Sequence, residues 1–148
     1  MIALLLMAAA ASPIAQTPLQ PFASLVSHCF VGPLPDNKGT DRHCFEGVYD
    51  GQHIRDRHVV TVGGKEVYAG ETIYSAKGAQ VIFTYWNSLG GLGTGFASLA
   101  PDRWRFSGTV HGTPDGKEQP IATTWKLSPE GYDVSSEGER PRPFKRAD

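Results

Sequence analysis

Apolar and polar residues alternate with a period of two along most of this chain, and short clusters of Gly, Pro, Asn and Asp interrupt the alternation. That period belongs to strands whose successive side chains point to opposite faces, and the interruptions read as turns. Residues 43–62, HCFEGVYDGQHIRDRHVVTV, give the strongest signal. They read as two strands joined by Asp50-Gly51, a pair suited to a tight hairpin turn. With the turn centred there, Tyr49 stands opposite Gln52, Gly47 opposite Ile54, Phe45 opposite Asp56 and His43 opposite His58. These residues and Val60 share one face. Cys44, Glu46, Val48, His53, Arg55, Arg57 and Val59 share the other. Neither face is wholly apolar, so the hairpin must carry polar groups into whichever side becomes the interior.

The pattern continues beyond the hairpin. Strands are predicted over residues 65–74, 80–87, 92–99, 103–110, 121–127 and 132–137, with turns at Gly63-Gly64, Lys77-Gly78, 88–91, 113–116 and 129–131. An extended segment begins at Cys29. Before it, Phe22, Leu25 and Val26 fall at i, i+3 and i+4 behind Pro21, which predicts a short helix closing one end of the core. Residues 33–41, PLPDNKGTD, read as an exposed loop. Nothing after Ser27 keeps a helical period over three turns. Short connections make successive strands antiparallel neighbours, and such a meander either leaves exposed edges or closes on itself. The expected fold is therefore all-β, an antiparallel meander closing into a barrel of eight or nine strands with a short N-terminal helix. Closure near eight strands leaves room inside for one small ligand.

The 148 residues suffice for one domain, and 17 glycines with 11 prolines suit many turns rather than a helical bundle. A formal net charge of -1 offers no basic surplus for a nucleic-acid backbone. The run MIALLLMAAAA is shorter than the ~20 residues that cross a bilayer as a helix and reads as a secretory signal peptide ending near Ala11 or Ala15. This gives a signal peptide over 1–15, one barrel domain over 16–137 and a charged, proline-bearing, flexible tail over 138–148. Export to the periplasm or outside the cell would let the two cysteines, Cys29 and Cys44, join as one disulfide.

A short helix, then CFVG at 29–32, the hairpin, YAGETIY at 68–74 and FTYWNS at 83–88 together resemble small exported lipocalin-like (calycin-type) barrel proteins of bacteria. The resemblance implies a ligand-holding barrel and names no ligand or cofactor.

Asp56 and His58 lie two apart on one strand face with His43 across the hairpin, so a carboxylate there can orient an imidazole as base or metal ligand. A metal would need a third ligand, for which Glu71 or His111 is available. On the other face Glu46 stands across from Arg55, beside Arg57, as an anion site or an exposed ion-pair ladder. Tyr85 and the other aromatics can stack on an apolar ligand. The expected ligand contacts are Asp56, His58, His43, Arg57, Glu71 and Tyr85. The expected partner is a small apolar or acidic molecule, with no nucleic acid and no membrane span. Three functions follow: a binding protein, an enzyme using His58 oriented by Asp56, or a structural or interaction protein of the cell envelope.

Overall fold

The computed structural model describes residues 17–148. The expected signal peptide lies outside them. A one-turn 3-10 helix, Gln20–Ser24, precedes ten strands: β1 Cys29–Pro33, β2 Gly39–Val48, β3 His53–Val62, β4 Lys65–Lys77, β5 Gln80–Asn87, β6 Leu92–Leu99, β7 Arg103–His111, β8 Gln119–Ser128, β9 Gly131–Ser136 and β10 Arg142–Arg146. Every strand pairs antiparallel with its chain neighbour, and β1 pairs with β10 to close the barrel. Closure leaves no free edge among these strands.

Three expectations need correction. The barrel has ten strands rather than eight or nine. The tenth comes from the segment expected to form a loose tail: Pro143 pairs with Asp133 on one side, and Lys145 pairs with Val31 on the other. The short helix is a single 3-10 turn, because the apolar run Phe22, Leu25, Val26 ends at Ser27, which takes a left-handed backbone at φ 68°. Thirdly, the loop expected over 33–41 ends early. Gly39, Thr40 and Asp41 already belong to β2 and pair with Val62, Thr61 and Val60.

The central hairpin keeps the expected register, with Phe45 against Asp56 and His43 against His58. Tyr49, Asp50 and Gly51 all have positive φ, 52°, 56° and 76°, and the Gln52 N–H donates to the Tyr49 carbonyl at 3.2 Å to close the turn. Cys29 and Cys44 stand directly opposite each other on β1 and β2 and form a disulfide. The glycines of β6 let the sheet curve. A Cβ on Gly95 would lie 2.1 Å from the Ser107 carbonyl oxygen and 2.8 Å from the Cα of its partner Gly108, so only glycine allows β6 and β7 to approach this closely.

The interior is mostly aromatic. Ten of the fifteen buried apolar residues among those described are Phe, Tyr or Trp, and large rings fill a barrel of this size efficiently. Phe22 from the 3-10 turn enters one end, its ring centroid 4.6 Å from those of both Tyr74 and Trp104. Leu19 and Leu25 pack beside it, fully or nearly buried. That end is plugged with hydrocarbon. Past the middle, the inward positions become polar, and a cavity begins there.

A buried carboxylate-histidine cluster as candidate functional site

The cavity measures about 250 Å³ and is partly open to solvent. One wall is aromatic, with Phe83, Phe106, Trp125 and Phe144. The other carries Asp41, His43, Asp56 and His58, and Tyr85 and Arg142 also line the cavity.

The hairpin sets this charged wall. His43 and His58 are direct cross-strand partners, and their rings stack with centroids 4.8 Å apart. Asp41 lies two residues before His43, and Asp56 two before His58, so all four side chains project to one face. The contacts run diagonally. His43 Nδ1–H donates to both oxygens of Asp56 at 2.9 Å, and its Nε2–H donates to Asp41 Oδ2 at 3.3 Å. His58 Nδ1–H donates to Asp41 Oδ1 at 3.1 Å. Both diagonals have the same sense, which the right-handed twist of the strands brings together.

Electrostatics hold the cluster charged. Asp56 is only 2% exposed, and a buried carboxylate without a partner is costly. Burial by itself would push His43 toward the neutral form. The charge of Asp56, then the hydrogen bonds with Asp41 and Asp56, outweigh that and raise it to about 10. Burial likewise favours a neutral Asp41, but hydrogen bonds from His43 and His58 and their charge hold its carboxyl far below the usual carboxylate range. His43 is thus an imidazolium between two carboxylates, with Phe144 and Trp125 meeting its ring edge-on.

Beyond His58 the network turns to phenols. His58 Nε2 is 3.4 Å from Tyr85 Oη, which is hydrogen-bonded in turn to Tyr68 Oη. Burial, then the bond with Tyr68, raises the Tyr85 hydroxyl well above an ordinary phenol, so it keeps its proton. Gly70 makes room here, since a Cβ on it would lie 2.3 Å from His58 Nε2 and 2.8 Å from Tyr85 Cε2. Arg142, carried in by β10, donates from Nη1 to the Pro33 carbonyl at 2.9 Å, and its guanidinium sits 5.7 Å from the centre of the Phe144 ring. Its Nε, like Tyr132 Oη, is buried without a hydrogen-bond partner among the described residues.

Of the six expected ligand contacts, His43, Asp56, His58 and Tyr85 line this cavity, and Arg57 and Glu71 do not. Those two face each other across β3 and β4 on the outside, where Arg57 is exposed, because odd positions of β3 point outward wherever even ones point in. Glu46 and Arg55 form an exposed ion pair on the same outer surface. His111 is exposed and paired with Glu118, and it does not line the cavity. The expected orientation of His58 by Asp56 also changes: Asp56 holds His43, and His58 takes Asp41. Asp41 and Arg142 lie outside the expected set. The alternation at Asp41 and His43 was a usable signal for the first, obscured by the loop-like composition before it. Nothing local to Arg142 indicated that β10 would pair with β1.

No helix among the described residues is long and apolar enough to cross a membrane. No protein family matches the chain, nor does any curated protein or solved structure, so the chemistry of the site rests on its own residues.

Proposed function

We propose that this chain is an exported, lipocalin-like binding protein that holds one small, largely apolar molecule carrying a polar or acidic group. The observation that carries the reading is a cavity with aromatic rings on one side and a charge-balanced cluster on the other. Its volume of about 250 Å³ is just under the ~300–1,000 Å³ usual for drug-sized ligands, which limits the occupant to a small molecule. Asp41 and Asp56 offset His43 and Arg142, so the cavity bears little net charge and tolerates a neutral or singly acidic guest. The apolar part would lie against Phe83, Phe106 and Trp125, and the polar end would meet Arg142, His58 or Tyr85. The disulfide and the apolar run before residue 12 support an oxidising compartment, the periplasm or the exterior.

The test is a thermal-shift screen of the chain in chelator-treated buffer, against short fatty acids, aromatic acids and their neutral amides. Binding should raise the melting temperature and quench the tryptophan fluorescence to which Trp125 contributes, and Arg142→Leu should weaken acids more than amides. A panel that moves neither readout would end this reading.

The Asp41–His58 hydrogen bond favours a second reading, in which His58 acts as a base oriented by Asp41 in an enzyme of the same fold. Any turnover found with the same panel must then fall at least about 100-fold in His58→Ala.

A further inference from the structure

The polar wall has a property that holding an organic guest does not require. Asp41, His43 and His58 each offer one ligating atom, and these atoms lie within 4.8 Å of one another. Some point is then within about 2.8 Å of all three, and modest side-chain rotation would reach the ~2.0–2.2 Å of zinc–nitrogen and zinc–oxygen bonds. We propose that Asp41, His43 and His58 bind a divalent transition-metal ion of the zinc class, with a further coordination position open to the cavity.

Four observations support the assignment. The donor set is two imidazoles and one carboxylate, which suits zinc and its first-row neighbours rather than magnesium or calcium. All three ligands stand on β2 and β3, with His43 and His58 in direct register, so the frame exists before any ion arrives. Asp41 Oδ2 lies 3.3 Å from His43 Nε2 and Asp41 Oδ1 lies 3.1 Å from His58 Nδ1, so the carboxylate already bridges the two ring nitrogens that would ligate the ion. The far nitrogen of each ring already has an outer partner. Asp56 accepts from His43 Nδ1, and Tyr85 Oη sits by His58 Nε2. Such outer partners fix the ring and the tautomer of a metal-bound histidine.

Ligation through His43 Nε2 and His58 Nδ1 leaves His43 Nδ1 facing Asp56 and His58 Nε2 facing Tyr85 Oη. The ion adds positive charge to a cavity that Arg142 also lines, so a loaded cavity favours an anionic guest.

The experiment uses zinc chloride and cobalt chloride alone, titrated into the chelator-stripped chain against a chromophoric competitor. The expected result is one ion per chain, a rise in melting temperature, and visible cobalt absorption of four-coordinate type. Asp41→Asn and His58→Ala should each weaken binding by more than about 100-fold, and Asp56→Asn by about 10–100-fold. His53→Ala and His111→Ala, which alter histidines outside the cluster, should bind as the parent does. Near-UV circular dichroism checks that each variant is folded, and His58→Gln replaces His58→Ala if the latter is not. No binding by the parent chain, or unchanged binding in folded Asp41→Asn and His58 variants, overturns the proposal. Because the organic panel is run in chelator, its result and the metal result fail independently.

Discussion

His43 and His58 face each other across β2 and β3 with rings stacked 4.8 Å apart, yet each takes its carboxylate along the strand diagonal, His43 from Asp56 and His58 from Asp41. Two imidazoles at this distance would repel if both were charged. The crossed carboxylates favour positive charge on His43, which of these two rings is the one with a carboxylate at each nitrogen.

Stability of the metal-free chain should therefore depend on pH on both sides of a plateau. His43 is raised from 6.5 to about 10 on folding, so its contribution is complete below 6.5 and disappears as pH rises through 10. Between those limits the loss is about 1 kcal/mol per pH unit. Asp41 is held below its unfolded value of 3.8, so its contribution is present above that value and declines as pH falls below it. Melting curves from pH 3 to 10 in chelator should show the plateau between roughly 4 and 6.5. His43→Gln should flatten the alkaline limb; a limb of unchanged slope would show that another group produces it.

Removing one partner of the deepest pair should cost more than removing both. Asp56→Ala leaves an imidazolium facing only Asp41 across a space it no longer fills, at about 3–5 kcal/mol. Adding His43→Leu should recover part of that loss. Urea unfolding of the single and double variants measures the coupling, and simple additivity would contradict a specific Asp56–His43 interaction.

The disulfide joins β1 to β2 across a chain separation of 15 residues. The chain-entropy relation gives about 3 kcal/mol for a loop of that size. Cys29→Ser with Cys44→Ser should lower stability by about that amount in denaturant unfolding. Reduction of the parent chain should do the same, whereas the double variant should not respond to reductant.

Gly70→Ala tests the packing of the site without altering any charged group. The added methyl would meet His58 Nε2 and Tyr85, so the ring must leave Asp41 or β4 must shift. The expected cost is about 1–3 kcal/mol, accompanied by changed His58 imidazole resonances in NMR spectra. Unchanged resonances would mean that the strand yields and the ring stays.

Phe22→Ala tests the plug. Its ring fills the closed end against Tyr74 and Trp104, and truncating a buried Phe costs about 3–5 kcal/mol. A loss under 1 kcal/mol would show that the 3-10 turn is dispensable for closing the barrel.

Local pattern was enough to determine the hairpin over 43–62, its register and which of its residues share a face. A two-residue turn with residues that accept positive φ fixes register by short-range geometry, and a period of two then assigns faces. The antiparallel meander follows from equally short-range features, and the Cys29–Cys44 pairing from there being two cysteines in the chain. The tertiary structure alone decided the rest. Arg142 reaches the cavity only because β10 pairs with β1, more than a hundred residues away in sequence. Asp56 holds His43 rather than its strand neighbour His58 because sheet twist favours one diagonal. Asp41 enters the site because β2 extends past the residues whose composition suggested a loop. Long-range closure and twist are properties of the assembled sheet, and no local window of sequence contains them.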